Sequence, residues 1–170
     1  MVKKAQAAME FLMTYGWAIL VVLVVIGALA YFGVLNPQTL LPERCELQQG
    51  FYCRDYLISE ATDTITMKLE NGRGQGIMVG VVNATGVGEL AGVQCYNETF
   101  KLWSWAGKDG KHLTNGESAE FVLYCQPNSF EGLANSGKKK FDLTVSWYQD
   151  DSTPSFNHTM TGQLLANIEE

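Results

Sequence analysis

The chain has 170 residues, of which 46% are hydrophobic and 18% charged, with a formal net charge of −6 and a pI near 4.9. That length suits one ordinary domain, or a small domain with an appendage. The acidic balance argues against nucleic-acid binding, since no basic stripe is left to meet phosphates, and two His residues with one short Lys run offer little material for a catalytic centre.

The charge is unevenly spread. Between Glu10 and Glu43 lies a neutral run of 32 residues. Within it, Phe11–Leu35 is apolar almost all round for 25 residues, longer than the ~20 needed to cross a bilayer core. An unbroken helix there satisfies every backbone group internally. Pro37, preceded by Asn36, ends it, because Pro cannot donate and restrains its predecessor. Tyr15 and Trp17 at one end, and Tyr31 and Phe32 at the other, suit the two interfaces. Lys3 and Lys4 are the only basic residues before the span. A single-pass membrane protein is therefore expected, its N-terminus cytoplasmic and its C-terminal domain extracellular. Three fates suit this span. One is removal as a secretory signal after Ala28-Leu29-Ala30, although the run is far longer than a typical signal core. Another is retention as a plain anchor. The third turns on Glu10, a carboxylate flush against the apolar run. Gly16, Gly27 and Gly33 are notches for close helix approach, without a strict G-x-x-x-G. At its mildest, Glu10 sits in the first helical turn and interacts with the helix dipole, worth ~0.3–1 kcal/mol.

The stretch Lys3-Lys4-Ala5-Gln6-Ala7-Ala8-Met9-Glu10-Phe11 resembles the class III signal peptide of archaeal type IV pilin-like proteins, although many members carry Ser where this chain has Ala8. The resemblance, which covers about the first 35 residues, implies that a prepilin-type peptidase cuts between Ala5 and Gln6 and leaves the hydrophobic helix on the mature chain. It further implies a homopolymer in which helices bundle and Glu10 pairs with a neighbour's terminal amine to set register, in a surface filament for adhesion or motility. Such an ion pair favours one register without necessarily adding net stability. The rival function is a non-polymerising, membrane-anchored binding module. The resulting organisation is a leader at 1–5, a transmembrane and assembly helix at 6–35, a connector at 36–42 bracketed by Pro37 and Pro42, and an outer domain at 43–170.

Beyond the connector the hydrophobic period becomes two. Ile65, Met67 and Leu69 alternate with polar residues, as do Phe121, Leu123 and Cys125, and Phe141, Leu143, Val145 and Trp147. This marks strands buried on one face. Tyr56–Ser59, Ile77–Val82, Val93–Trp103 and Thr159–Leu165 read as further strands. Asn71-Gly72, Gly86–Gly88, Gly107–Gly110, Asn115-Gly116 and Asn135–Gly137 read as turns. Ala84–Ala91 reads as a loop, and Gly72–Gly76 as a hairpin loop. Some seven short strands with no second helical pattern predict an all-β, immunoglobulin-like sandwich.

All four cysteines, Cys45, Cys53, Cys95 and Cys125, follow the span, with no C-x-x-C and no His at zinc-finger spacing. Three disulfide connectivities exist. Cys45–Cys53 with Cys95–Cys125 is favoured because the near pair pins the start of the domain to its first strand. Sequons at Asn83, Asn97 and Asn157 agree with an exported glycoprotein. No metal, cofactor or catalytic residue is assigned. His112 reads as a solvated loop residue and His158 as part of a surface strand. Asp150-Asp151-Ser152 is at most a weak calcium ligand set, lacking the alternate ligands of an EF-hand. Lys138–Lys140 reads as a solvated or gatekeeping strand end. Trp103 and Trp105 share a face that is core or, if exposed, a contact for sugars or a neighbouring subunit.

Overall fold

The computed structural model describes residues 2–32, 41–97, 104–105, 108–134 and 136–170. Two compact units divide the chain at Leu41/Pro42. The first holds one helix, α1 (Val2–Tyr31), 30 residues long. It starts before the apolar run and passes through Ala5, Gln6 and Glu10 without a break. Gly33–Leu35 of the expected span, Pro37 and connector residues 36–40 lie outside the described residues.

Among its described residues the second unit is antiparallel sheet with short 3₁₀ turns and one isolated parallel bridge, Ser59 with Glu169. Its strands are β1 (Arg44–Leu47), β2 (Phe51–Ser59), β3 (Thr64–Asn71), β4 (Ile77–Val87), β5 (Gln94–Tyr96), β6 (Ser104–Trp105), β7 (Lys108–Asp109), β8 (Lys111–Leu113), β9 (Ser118–Tyr124), β10 (Lys139–Gln149) and β11 (His158–Ala166). Nine form one sheet in the order β1-β11-β10-β4-β5-β9-β3-β2, with β8 on β4, while β6 and β7 pair separately.

The alternating residues named from sequence do face inward: Ile65, Met67, Leu69, Phe121, Leu123, Phe141, Leu143 and Val145 are all essentially inaccessible and join one core cluster. The Ala84–Ala91 stretch differs from expectation. β4 continues to Val87, and only Gly88–Leu90 leaves the sheet as a 3₁₀ turn. Burial alternates through Ala84 and Gly86, but these inward residues are small, so the hydrophobic signal is faint. Gly86 must be small, because a Cβ there would collide with the backbone of Leu90. Gly72–Gly76 forms no hairpin: β3 pairs with β2 and β9, whereas β4 pairs with β10, β5 and β8. Of Val93–Trp103 only Gln94–Tyr96 is strand among the described residues. Trp103 and Asn135 lie outside them.

The sheet is weak at two junctions, and each carries a disulfide. β5 meets β9 through a single residue pair, Tyr96 with Tyr124. Cys95–Cys125 bridges that junction with a Cα separation of 4.0 Å. End strands β1 and β2 share no ladder in the strand order, yet Cys45–Cys53 joins them across 5.8 Å. The C-terminal segment crosses the same gap, with Glu60 N–H donating to the Glu169 carbonyl and Glu169 N–H to that of Ile58, both at 2.8 Å. The amide of Asn167 donates to Glu43 Oε1 at 2.7 Å. The ends of the sheet therefore meet, and it is nearly barrel-shaped. Closure in this way removes most exposed strand edges.

Candidate membrane and assembly segment

Within α1, Met13–Tyr31 is the stretch able to span a membrane: 19 residues with mean hydropathy 2.3, none of them buried. At ~1.5 Å per residue it is about 29 Å long, close to the ~30 Å hydrocarbon thickness. Apolar side chains are exposed on every side of it, from Trp17 and Ile19 through Val25 to Leu29. Such a surface needs lipid or another apolar helix around it. Gly16 and Gly27 have open space where a Cβ would stand, so both are accessible notches. Gly33 lies outside the described residues.

Glu10 is exposed one turn before this span. The dipole reading of its role does not hold in the intact chain. α1 begins at Val2 and has no acid in its first turn, and the dipole's influence fades beyond that turn. The Glu10 carbonyl accepts the Thr14 hydroxyl at 2.9 Å, and Phe11 stacks on Tyr15 with ring centroids 4.7 Å apart.

On the outer domain, the polar residues considered from sequence are occupied by structure. His112 is not a solvated loop residue: it lies on β8, half-buried, with Nε2 3.2 Å from Asp150 Oδ2. That contact engages the carboxylate suggested for calcium. Among the described residues no three His, Cys, Asp or Glu side chains gather as a metal site. His158 opens β11 on the surface, its ring 4.8 Å from that of Trp147. Lys139 is not a solvated strand end. Its side chain is 8% exposed and Nζ donates to Glu89 Oε2 at 2.5 Å. A bulge in β2 between Cys53 and Asp55 frees Arg54 to clamp Glu70 on β3 with two hydrogen bonds of 2.5 and 2.6 Å. Trp105 is on β6.

No protein-family model matches this chain, and no curated protein matches it.

The sequons fall into distinct settings. Asn83 and Asn157 are exposed. Asn97 is 4% exposed and completes the edge of β4 between its pairings with β5 and β8. Its Oδ1 accepts from Val82 N–H at 2.9 Å, and its Nδ2 donates to the Gly80 carbonyl at 3.2 Å. Sequence reasoning missed this role, since an N-x-T triplet looks the same whether its amide is buried or free.

Acid sensitivity follows from the turn Thr114–Glu117. Backbone N–H of Thr114, and then its hydroxyl, donate to Glu117 Oε2 at 2.9 and 2.8 Å, holding the carboxyl below its ordinary value. Glu70 is held low chiefly by its hydrogen bonds from Arg54. A depressed folded-state value gives stabilisation that is present above the ordinary carboxylate range and is lost as pH falls through the lower folded value. Thermal unfolding from pH 6 to pH 3 is expected to show a falling midpoint, with a shallower fall in Glu117→Gln. An equal fall in that variant would remove Glu117 from the account.

Proposed function

We propose that the chain is a pilin-like subunit whose N-terminal helix both anchors it in the membrane and assembles with copies of itself into a surface filament for adhesion or motility. The observation that carries this reading is the geometry of α1: one helix runs through the Lys3–Phe11 stretch into an all-round apolar span, with Glu10 as the single acid, one turn outside it. A prepilin-type peptidase cutting between Ala5 and Gln6 would remove Lys3 and Lys4. It would also place a new α-amino cation one helical turn from Glu10. An amine and a carboxylate at that spacing can pair between staggered neighbours in an apolar bundle, where leaving either charge unpaired is costly. The disulfide-linked domain suits an oxidising exterior. With Lys3 and Lys4 inside, the β domain lies outside. Its layers β2-β3-β9 and β1-β11-β10-β4 share one core and are joined through β5 on one side and through the Cys45–Cys53 bridge and the C-terminal segment on the other, an arrangement that suits a sandwich-like, immunoglobulin-related description.

Mass spectrometry of the mature N-terminus tests this. A chain beginning at Gln6 is expected. Retention of Val2 would make α1 an ordinary anchor for a non-polymerising binding module, and a start at Tyr31 would leave a secreted domain. Glu10→Ala is expected to abolish filaments while leaving the domain folded and membrane-bound. Unchanged filaments would remove Glu10 from assembly.

A further inference from the structure

The folded domain offers its three sequons to a glycan-transferring enzyme very unequally. Transfer to asparagine forms a bond from Nδ2 to the anomeric carbon of an oligosaccharide. The bond from that carbon to the oxygen of a lipid-linked phosphate breaks, the phosphate leaves with the electron pair, and the amide gives up one proton. Nothing is oxidised or reduced. Three things are needed: a free Nδ2, a reachable Ser or Thr two residues on, and a backbone that can be drawn into the enzyme.

Asn97 has none of the first. Its amide is buried and spent on Gly80 and Val82, and its own N–H donates to the Val82 carbonyl at 3.3 Å. Withdrawing it would strand buried backbone groups of β4. Asn83 meets the first condition, since it is exposed and its side chain has no hydrogen-bond partner among the described residues. It fails the third. Asn83 pairs with Thr144 on one edge and Tyr96 on the other, and Thr85 pairs with Asp142 and Gln94. Extracting Asn83–Thr85 would tear two ladders in mid-sheet.

Asn157 meets all three. It follows the 3₁₀ turn Pro154–Phe156 and precedes β11, so its backbone belongs to no ladder. Its side chain is exposed and unpartnered among the described residues. Thr159 is exposed as well. It pairs with Ser146 on one edge only, because the pairing of β11 with β1 stops at Gly162. We propose that the folded, disulfide-bonded domain is an acceptor of N-linked glycan at Asn157 alone, while Asn83 is accepted only before folding and Asn97 serves the fold.

This stands apart from filament formation and is tested on the purified full chain in detergent. The oxidised protein, and the same protein reduced and unfolded, are incubated with an oligosaccharyltransferase and a lipid-linked oligosaccharide, and each sequon peptide is analysed by mass spectrometry. The oxidised form is expected to show the glycan mass at Asn157 and neither other site. The unfolded form should show it at all three. Thr159→Ala should lose modification of the oxidised form entirely. Glycan at Asn83 or Asn97 in the oxidised form would overturn the proposal. So would an unmodified Asn157 in the oxidised form, whether or not the unfolded form is modified.

Discussion

Replacing Cys95 and Cys125 together by alanine is expected to lower the unfolding free energy of the outer domain by about 3.7 kcal/mol, on the chain-entropy account of a bridge spanning 30 positions. The same exchange at Cys45 and Cys53, spanning 8 positions, is expected to cost about 2.6 kcal/mol. The larger effect also has a structural seat. Without the bridge, β5 is left with one residue pair to β9 and three to β4. Cys95 is 1% exposed, and alanine leaves no buried hydroxyl behind. Urea unfolding under oxidising conditions measures both variants, and hydrogen exchange localises the change. Amides of Gln94–Tyr96 should lose protection first in the Cys95/Cys125 variant. Greater destabilisation from the Cys45/Cys53 exchange would refute the loop-length account of the two bridges.

Phe130→Ala is expected to cost about 3–5 kcal/mol, the range for removing a fully buried aromatic side chain. Phe130 sits in the segment between β9 and β10, where no strand or helix forms among the described residues, yet it is wholly inaccessible and meets Phe141 edge-to-face at 5.9 Å. Two carboxylates from the β2–β3 turn hold the backbone that delivers it. Asp63 accepts from Asn128 and Phe130 N–H at 2.7 and 3.1 Å. Glu60 accepts from Gly132 and Ala134 N–H at 2.6 and 2.9 Å. Asp63→Ala should therefore destabilise through the same loop but by less, about 1–3 kcal/mol, since it removes hydrogen bonds and leaves the ring. Urea midpoints order the two. If Asp63→Ala were as damaging as Phe130→Ala, the carboxylate and not the ring would be the anchor.

The same contrast runs through the whole chain. Strands β3, β9 and β10 were legible because large side chains alternate with polar ones, and each inward position removes apolar area from water. The end of β4 was not, because Ala84 and Gly86 face inward and carry almost no hydrophobic signal. Phe130 carries no pattern because it stands alone among turn residues, and only the carboxylates of Glu60 and Asp63, some 70 positions earlier, bring it to the core. His112 read as solvated for a similar reason: its partner Asp150 is 38 positions away.

By itself the sequence determined the two-part character of this protein. A charge-free run long enough for a bilayer, and a period-two pattern beyond it, are local properties set by helix and strand geometry. Cysteine spacing favoured the connectivity that the structure has. Tertiary structure alone decided which strands adjoin, that the two bridges fall on the two poorest junctions of the sheet, and that Asn97 is part of the β4 edge while Asn157 is free. These depend on contacts between distant segments, and no local pattern encodes which distant backbone group a side chain will meet.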